Sequence, residues 1–375
     1  MAHSLTEDDI YRTSTQYRLW SFSPESLAAV RRKTHSLAIE RALQYGAASI
    51  LTAHESLRLI QRYSSLLLTT ATHLAFPAPV KATAVQFLRR FYLSNSVLTY
   101  PPKEIYKTVL YLACKVEGTH MGLAEFARRI STEGEQVLAG EYKVMQALRF
   151  TLEVRQPFRG LKGVLMEMLN GAEGRVGVID GLEDGRGVAE TMRSLPGPGD
   201  GDRTKWTPPA DGSVGMRHVQ DRIQSAYSAA RILLETPASL TDVYFLYTPS
   251  QLLLAALQLA DSPLTSFYLS TKLAIESPAR PKILATISSC ADMLASFDQS
   301  QVLTKDERAE LEAKLEKCRD PGTKDLVESF AAMRQDGSGE DGLEDEKAKK
   351  RKGAREKHER EGEDLFGPSL GANNG

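Results

Sequence analysis

The 375-residue sequence has few of the residues that build disulfide frameworks or metal sites. Its three cysteines, Cys114, Cys290 and Cys318, form no CxxC pair and no other paired spacing. Disulfide scaffolds and structural zinc sites need such pairs, whereas isolated cysteines are typical of a reducing compartment. The seven histidines are scattered and form no HExxH pattern. We therefore expect no metal ion and no cofactor.

The sequence also lacks an apolar run of the roughly 18–20 residues that a membrane-spanning helix requires. It begins with the polar, acidic stretch MAHSLTEDD, from which we expect no secretory signal. The net charge is −1, so the molecule as a whole does not attract nucleic acid or a membrane surface. These features predict a soluble intracellular protein with no membrane partner and no direct nucleic-acid partner.

No recognisable catalytic motif is present. The glycine-rich segment 171–213 contains neither GxxxxGK[ST] nor GxGxxG, and no GxSxG falls within the helical segments. The stretch DGSGEDG (336–342) departs from a calcium-binding loop, because Asp341 replaces the required glycine and Lys347 the final glutamate. The sequence therefore predicts a protein that is not an enzyme, and an all-helical enzyme without a familiar motif is the alternative.

Most segments show the apolar period of amphipathic helices, and none shows convincing strand alternation. Thr52 and Glu55 have capping-box spacing, and Pro79 suits the first turn of the following helix. The segment PKEIYKTVLYLACKV (102–116) is apolar almost all round, which predicts a helix enclosed by others. With LAEFARRI and EQVLAGEYKVMQALRF (135–150), five helices fall between about 50 and 150. The predicted fold class is all-α.

The second half of the chain echoes the first. YPPKEIYKTVLYLA (100–113) matches YTPSQLLLAALQLA (247–260) at a constant offset of 147 residues. Two copies of one helical unit explain this match, and Pro157 prevents a continuous helix between them. We expect two tandem five-helix repeats flanked by an N-terminal helix (SPESLAAVRRKTHSLAIERAL) and a C-terminal helix (TKDERAELEAKLEKC).

Composition sets the expected domain boundaries. Residues 171–213 contain ten glycines, four prolines and few apolar residues, so they predict a flexible insertion that cannot offset its ordering entropy. The last forty residues are acidic, then basic, then mixed in charge, which predicts a disordered tail. The predicted units are an N-terminal extension (1–48), a first repeat (49–153), a second repeat (157–298) with the insertion 171–213, a C-terminal helix region (301–334) and a charged tail (335–375).

Two groups of basic residues have alternative interpretations. Arg58, Arg62, Arg89 and Arg90 are consistent either with a solvated helix surface or with a basic face for nucleic acid or an acidic partner segment. The run KKRK in the tail is consistent with a nuclear import signal or with solubilising charge. Its members are Lys349, Lys350, Arg351 and Lys352.

Lys115 stands at the end of the apolar segment 102–116 and needs an explanation. A catalytic amine would require burial and a neighbouring cation in a substrate pocket, and no companion residue suggests one. A lysine at a solvated helix end is the simplest structural role. A contact with a partner protein is the third interpretation.

Two segments resemble the cyclin box. AVQFLRRFYLSNSVLTYPPKEIYKTVLYLACKVEG (84–118) is similar to its central helices, of which the third ends in Ala-Cys-Lys. GEYKVMQALRFTL (140–152) is similar to its fifth helix, with Glu141 nine residues before Phe150. The resemblance covers roughly residues 50–300 and implies two tandem cyclin boxes and a regulatory role toward a cyclin-dependent kinase.

Within the cyclin family, three further segments favour the cyclin H group. They are YRLWSFSPESLAAVR (17–31), LTDVYFLYTPSQLLLAAL (240–257) and LEAKLEKC (311–318). This resemblance implies a nuclear subunit that activates the CDK-activating kinase of TFIIH, which phosphorylates the RNA polymerase II C-terminal domain. It also implies a RING-finger-type assembly subunit and the TFIIH core as partners. The alternatives are a Mediator cyclin similar to cyclin C and, less well supported, a DNA-binding double cyclin fold similar to TFIIB.

The resemblance also implies a kinase-binding site. Lys115 and Glu141 match the family's paired charges that hydrogen-bond the kinase main chain near its αC helix. Leu112, Val116, Met145, Phe150 and Leu152 match the apolar positions around that pair. The MRAIL substrate-docking motif is absent from the first helix, so we expect no docking groove for RxL substrates.

Overall fold

The computed structural model describes residues 7–47, 49–175, 185–210, 212–323 and 326–328. Within these ranges the chain is helical and contains no β-strand, which confirms the predicted fold class. All the helices described below belong to one unit, Met1–Lys324. No helix among the described residues combines the length and apolar character needed to cross a bilayer.

Three helices precede the first repeat: α1 (Glu7–Thr13), α2 (Thr15–Trp20) and α3 (Pro24–Gln44). Ser23 and Ser26 form a reciprocal capping box at the start of α3, where Pro24 occupies the first turn. Trp20 and Leu27 pack against Leu93 of the first repeat and Phe245 of the second. The N-terminal helices are therefore part of the same hydrophobic core as both repeats.

The first repeat contains α4 (Ala53–His73), α5 (Ala78–Ser94), α6 (Pro102–Val116), α7 (Leu123–Arg129), α8 (Gly134–Leu138) and α9 (Glu141–Ala147). The predicted capping box at Thr52 and Glu55 is present, and both of its hydrogen bonds are made. Helix α6 contacts α4, α5, α8 and α9, as its nearly uniform apolar character predicts.

The last predicted helix of this repeat, over 135–150, is interrupted in the structure. Gly140 separates α8 from α9, and a Cβ atom there would lie 3.3 Å from Thr108 Oγ1 and 3.4 Å from Ile105 Cδ1. Thr108 Oγ1 donates to the carbonyl oxygen of Val137 at 2.7 Å. The single-helix prediction was wrong because the chain bends at Gly140 to lie directly against α6.

The second repeat contains α10 (Phe158–Ala172), α11 (Gly185–Ser194), α12 (Met216–Glu235), α13 (Pro237–Leu240), α14 (Val243–Leu246), α15 (Pro249–Ala260), α16 (Ser262–Lys272) and α17 (Arg280–Ala295). Pro157 is the N-cap of α10, so the predicted break between the repeats is present. Helices α6 and α15 begin at Pro102 and Pro249, which are the positions that the 147-residue offset relates. The two matching segments thus form equivalent central helices.

Much of the region predicted to be a flexible insertion is folded. Helix α11 buries Val188, Ala189 and Met192 against α10 and α12. The apolar spacing of these residues suffices for an amphipathic helix once neighbouring helices cover its apolar face. The flexibility prediction was wrong for this part, while residues 176–184 and 211 lie outside the described residues.

The segment after α11 forms a strap across the end of α15. The backbone N–H groups of Arg203 and Thr204 donate to the carbonyl oxygens of Leu259 and Ala260, at 2.8 and 2.9 Å. Asp202 accepts a hydrogen bond from the Ser262 N–H at 3.2 Å. Backbone hydrogen bonds of this kind need no apolar side chains, which is why composition did not reveal the strap.

The strap covers an ion pair inside the second repeat. Arg222 Nε donates to Asp261 Oδ2 at 2.6 Å, and the two side chains are only 3% and 0% exposed. The ring of Trp206 lies over the Arg222 guanidinium, with 5.1 Å between its centroid and Cζ. The indole therefore shields this pair from water.

Helix α18 (Lys305–Cys318) follows the second repeat but packs on α4 of the first. Thr304 and Glu307 form a reciprocal capping box at its start. Lys314 pairs with Glu55 of α4 at 2.8 Å. Residues 335–375, including the candidate import signal, lie outside the described residues.

The turn after α18 ties the chain further to the first repeat. Arg319 pairs with Glu104 of α6 at 2.6 Å. The Asp320 N–H donates to the Leu98 carbonyl oxygen at 3.0 Å. Thr323 Oγ1 donates to the Thr99 carbonyl oxygen at 2.5 Å. The C-terminal helix region thus completes the surface of the first repeat.

Two of the four arginines considered as a basic face are buried. Arg89 and Arg90 are only 9% and 2% exposed. Arg89 pairs with Asp242 of the second repeat, and Arg90 donates to the Glu153 carbonyl oxygen at 3.1 Å. Neither the solvated surface nor the basic face is correct for Arg89 and Arg90, because the charged ends of both side chains find partners inside the protein, which a helical pattern cannot show.

Asp242 connects three parts of the molecule. Arg31 of α3 donates to both of its carboxylate oxygens, at 2.7 Å each, and Arg89 of α5 donates to it as well. Burial by itself raises the pKa of Asp242, but the hydrogen bonds and charges of the two arginines outweigh this effect and lower it to about 2. The N-terminal helix and both repeats therefore share one carboxylate.

Candidate functional site

The predicted pair of charges is formed at the end of α6. Lys115 lies in the last turn of α6 and Glu141 in the first turn of α9, where each charge suits the helix dipole. Their side chains form an ion pair and are 43% and 19% exposed. Lys115 Nζ also lies 5.0 Å from the centroid of the Tyr111 ring. This solvent-accessible, paired lysine lacks the burial that would make it a catalytic amine.

The apolar positions predicted around this pair differ in their exposure. Val116 and Phe150 are 37% and 62% exposed, and Met145 and Leu152 are partly buried. Leu112 is only 3% exposed. The structure therefore corrects the prediction for Leu112, which faces the core and supports the surface from beneath rather than offering it a contact.

The exposure of Phe150 results from an unusual backbone conformation. Arg149 and Phe150 have φ angles of 54° and 55°, in the left-handed region that side chains other than glycine rarely adopt. The Phe150 N–H donates to the Met145 carbonyl oxygen at 2.9 Å and thereby ends α9. Such strain is a common property of binding sites, since the surrounding structure must hold it in place.

Helix α2 holds this turn in place. Trp20 Nε1 donates to Thr151 Oγ1 at 3.0 Å. The guanidiniums of Arg90 and Arg149 lie over the Trp20 ring, with Cζ at 5.1 and 5.5 Å from its centroid. The tryptophan is itself 3% exposed. The N-terminal segment therefore fixes the position from which Phe150 projects.

Sequence reasoning missed one exposed aromatic on this surface and one structural acid beneath it. Tyr142 follows Glu141 directly and is 49% exposed, and that adjacency was the available signal. Glu117 accepts hydrogen bonds from Thr83 at 2.5 Å and from Gln156 at 3.3 Å. Glu117 thus ties the linker between the repeats to the end of α6, and no local pattern reveals this role.

We define the Lys115 face as the surface formed by Lys115, Glu141, Tyr142, Met145, Val116, Phe150 and Leu152. It combines exposed apolar groups with a single oriented ion pair on a helical frame. The described residues include no group of three or more His, Cys, Asp or Glu that could hold a metal ion. The face is therefore suited to binding a protein surface.

Comparison with known proteins matches both halves of the chain to one family. Residues 45–153 match the model described as the N-terminal domain of cyclins, and residues 156–295 match the cyclin C-terminal domain. The chain belongs to the cyclin family. Cyclins are non-catalytic regulatory subunits of cyclin-dependent kinases.

Two solved structures resemble this cyclin over most of its length. The CDK-activating kinase (CAK) complex of Chaetomium thermophilum bound to ATP-γ-S contains a chain that is 34% identical, with a TM-score of 0.71, covering 89% of this chain and 97% of that one. The yeast TFIIK complex of Kin28, Ccl1 and Tfb3 contains one that is 30% identical, with a TM-score of 0.56, covering 76% and 100%.

A curated relative shows the same likeness in sequence. Cyclin CCL1 of Saccharomyces cerevisiae is 30% identical over 287 residues, which is 72% of this cyclin and 62% of that protein. The chain spans between 54 and 62% of the length of the first curated relatives that it matches.

Proposed function

We propose that this cyclin is the regulatory subunit of a CDK-activating kinase of the cyclin H type. It binds and activates a cyclin-dependent kinase within TFIIH, and that kinase phosphorylates the RNA polymerase II C-terminal domain. The observation that carries the proposal is the Lys115–Glu141 pair on an exposed apolar surface, in a chain similar to those of the CAK and TFIIK complexes. Nuclear localisation follows from this role.

The mechanism is conformational. A kinase transfers phosphoryl groups efficiently only when its β3 lysine and αC glutamate are paired. A rigid surface that binds only this arrangement shifts the kinase population toward it. Moving an equilibrium from 1:99 to 99:1 requires about 5.5 kcal/mol, which an interface of roughly 2,000 Å² or more can supply.

The members of the Lys115 face have different parts in this mechanism. Phe150, at 62% exposure, and Val116, at 37%, provide apolar area for burial and carry most of the affinity. Lys115 and Glu141 hydrogen-bond the kinase main chain near its αC helix and fix the orientation of the complex. Because Phe150 is held in position by the Trp20 contacts, little ordering entropy is lost when it binds.

Two further partners belong to the proposal. The yeast TFIIK complex contains Tfb3 beside its kinase and cyclin, so we expect a RING-finger-type assembly subunit and the TFIIH core as partners here. A Mediator cyclin similar to cyclin C is the alternative assignment. Purification of the tagged cyclin from nuclear extract, followed by mass spectrometry, separates the two, because TFIIH subunits and Mediator subunits are distinct.

The kinase-binding site is tested by Lys115→Ala combined with Glu141→Ala. We expect kinase association to weaken by about 10- to 100-fold, with unchanged thermal unfolding, since the pair is exposed. The matched control is Glu125→Ala with Arg129→Ala, which removes a surface ion pair on α7. Unchanged kinase binding and kinase activity in the double variant would remove the assignment.

A further inference from the structure

A cleft lies where α3, α4 and α17 meet, outside the Lys115 face. It consists of two adjoining cavities of about 440 and 390 Å³. The cavities share the lining residues Arg31, Leu57, Ile60, Tyr92, Asp242 and Met293, so they form one continuous cleft. Its dimensions are those of sites that receive a few side chains of a ligand.

The lining of this cleft combines apolar surface with positive charge. Leu57, which is 39% exposed, lies with Ile60 and Met293 along the apolar part. The charged lining groups are four guanidiniums and one carboxylate, namely Arg31, Arg32, Arg58, Arg89 and Asp242. The cleft therefore carries an excess of positive charge beside exposed apolar side chains.

The arginines are not equally available. Arg31 and Arg89 are paired with Asp242, and Arg58 is 3.3 Å from Glu307 of α18. Arg32 is exposed and has no ion-pair partner among the described residues. Arg32 and Arg58, which is one-third exposed, are thus the two cations that an incoming anionic group can reach.

We propose that this cleft binds a short peptide segment of a partner protein in which carboxylates stand beside apolar side chains. The apolar side chains enter next to Leu57 and Met293, and the carboxylates pair with Arg32 and Arg58. Charge complementarity selects this occupant, because Asp242 is already paired with Arg31 and Arg89, which leaves Arg32 and the partly exposed Arg58 as the charges that a ligand meets. A duplex nucleic acid would require a row of cations along a polar surface, and this lining is largely apolar.

This occupant is opposite in charge to a basic docking motif. A basic segment would meet Arg31, Arg32 and Arg58 in the lining, and like charges in an interface are unfavourable. The absence of MRAIL from α4 and the cationic character of this cleft therefore point to the same selectivity. The apolar surface of α4 accepts acidic peptides and rejects basic ones.

The proposal is tested by fluorescence anisotropy on the full chain. The probe is a fluorescein-labelled peptide of about twelve residues in which leucines alternate with glutamates and aspartates. The control peptide has lysine at every acidic position. We expect saturable binding of the acidic peptide that weakens as sodium chloride is raised, and at least about tenfold weaker binding of the lysine peptide.

Variants of the chain locate the binding site. Arg32→Glu with Arg58→Gln is expected to weaken binding of the acidic peptide by about tenfold or more. Leu57→Ser, which removes an exposed apolar contact without touching any charge, is expected to weaken it by a smaller factor. Arg128→Glu on α7 is the control, because Arg128 is an exposed arginine outside the cleft.

Three outcomes would overturn the proposal: equal binding of both peptides, unchanged binding in the Arg32 and Leu57 variants, or competition by duplex DNA alone. Kinase co-purification serves as a separate readout. The cleft variants are expected to retain the kinase, and the Lys115 and Glu141 variants are expected to retain the peptide. Failure here therefore leaves the kinase-binding assignment intact, and the reverse also holds.

Discussion

Replacing Asp242 by asparagine removes the carboxylate that α3, α5 and the second repeat share. Arg89, which is only 9% exposed, then has a buried charge without a counter-ion, and Arg31 loses a bidentate partner. The pKa of Asp242 falls from 3.8 to about 2 in the folded protein, which corresponds to about 2 kcal/mol of stabilisation of its charged form. An unpaired buried charge costs up to about 3–5 kcal/mol, and the partial exposure of this site favours the lower figure.

Urea unfolding at neutral pH measures this loss. We expect Asp242→Asn to lower the free energy of unfolding by about 2–3 kcal/mol. Glu310→Gln, which changes an exposed carboxylate on α18, should leave it unchanged within about 0.5 kcal/mol. A second change, Arg89→Met, should restore part of the loss in the Asp242 variant, because it removes the buried charge that has lost its partner.

The contribution of Asp242 to the stability of the protein depends on pH. Because its pKa is lowered on folding, its stabilisation is present in full above about 3.8 and is lost as the pH falls toward about 2. Wild-type protein should therefore lose stability over this acid range more steeply than Asp242→Asn. Equal urea midpoints for the two proteins at neutral pH, or parallel acid profiles, would refute the reasoning.

Three further predictions concern the rest of the fold. Trp206→Ala should lower the free energy of unfolding by about 2 kcal/mol, since it exposes the Arg222 ion pair to water. Lys205→Ala, which changes an exposed neighbour, should leave the free energy of unfolding unchanged, and thermal unfolding of the two variants measures the difference. Burial raises the pKa of Cys114 and Cys290 to about 12, so neither thiol should react with a maleimide at pH 8 until denaturant is added. Rapid labelling of the folded protein, detected by mass spectrometry, would contradict this prediction. Gly160→Ala would place a Cβ atom 2.7 Å from Leu253 Cδ2. The shift of the Leu253 side chain that this requires should lower the melting temperature by a few degrees. An unchanged melting temperature would show that Leu253 moves freely.

Features that depend on local chemistry were predictable from the sequence. Thr52 and Thr304 form the capping boxes that their spacing to Glu55 and Glu307 predicts. The match between the helices that begin at Pro102 and Pro249 identified the two repeats. Each of these features lies within one segment of the chain, where helical period and capping operate directly.

Features that depend on distant partners were not predictable. Arg89 and Asp242 are 153 positions apart, so neither residue's neighbours indicate that their charges meet. The pair of Lys115 and Glu141 was identified through the family resemblance, because nothing local relates two residues 26 positions apart on different helices. Leu112 was misassigned for a similar reason: family position marks a region of the surface but not which side chains point outward.

The return of α18 to the first repeat has a consequence for synthesis. Glu55 of α4 and Glu104 of α6, both in the first repeat, receive their ion-pair partners Lys314 and Arg319 only after the whole second repeat has been translated. A ribosome-bound chain that ends after the first repeat therefore leaves this side of α4 and α6 uncovered. The first repeat is translated before the second, but α18 covers it only after the second repeat is complete. A fragment that ends at the boundary between the repeats therefore lacks part of the surface that α18 provides.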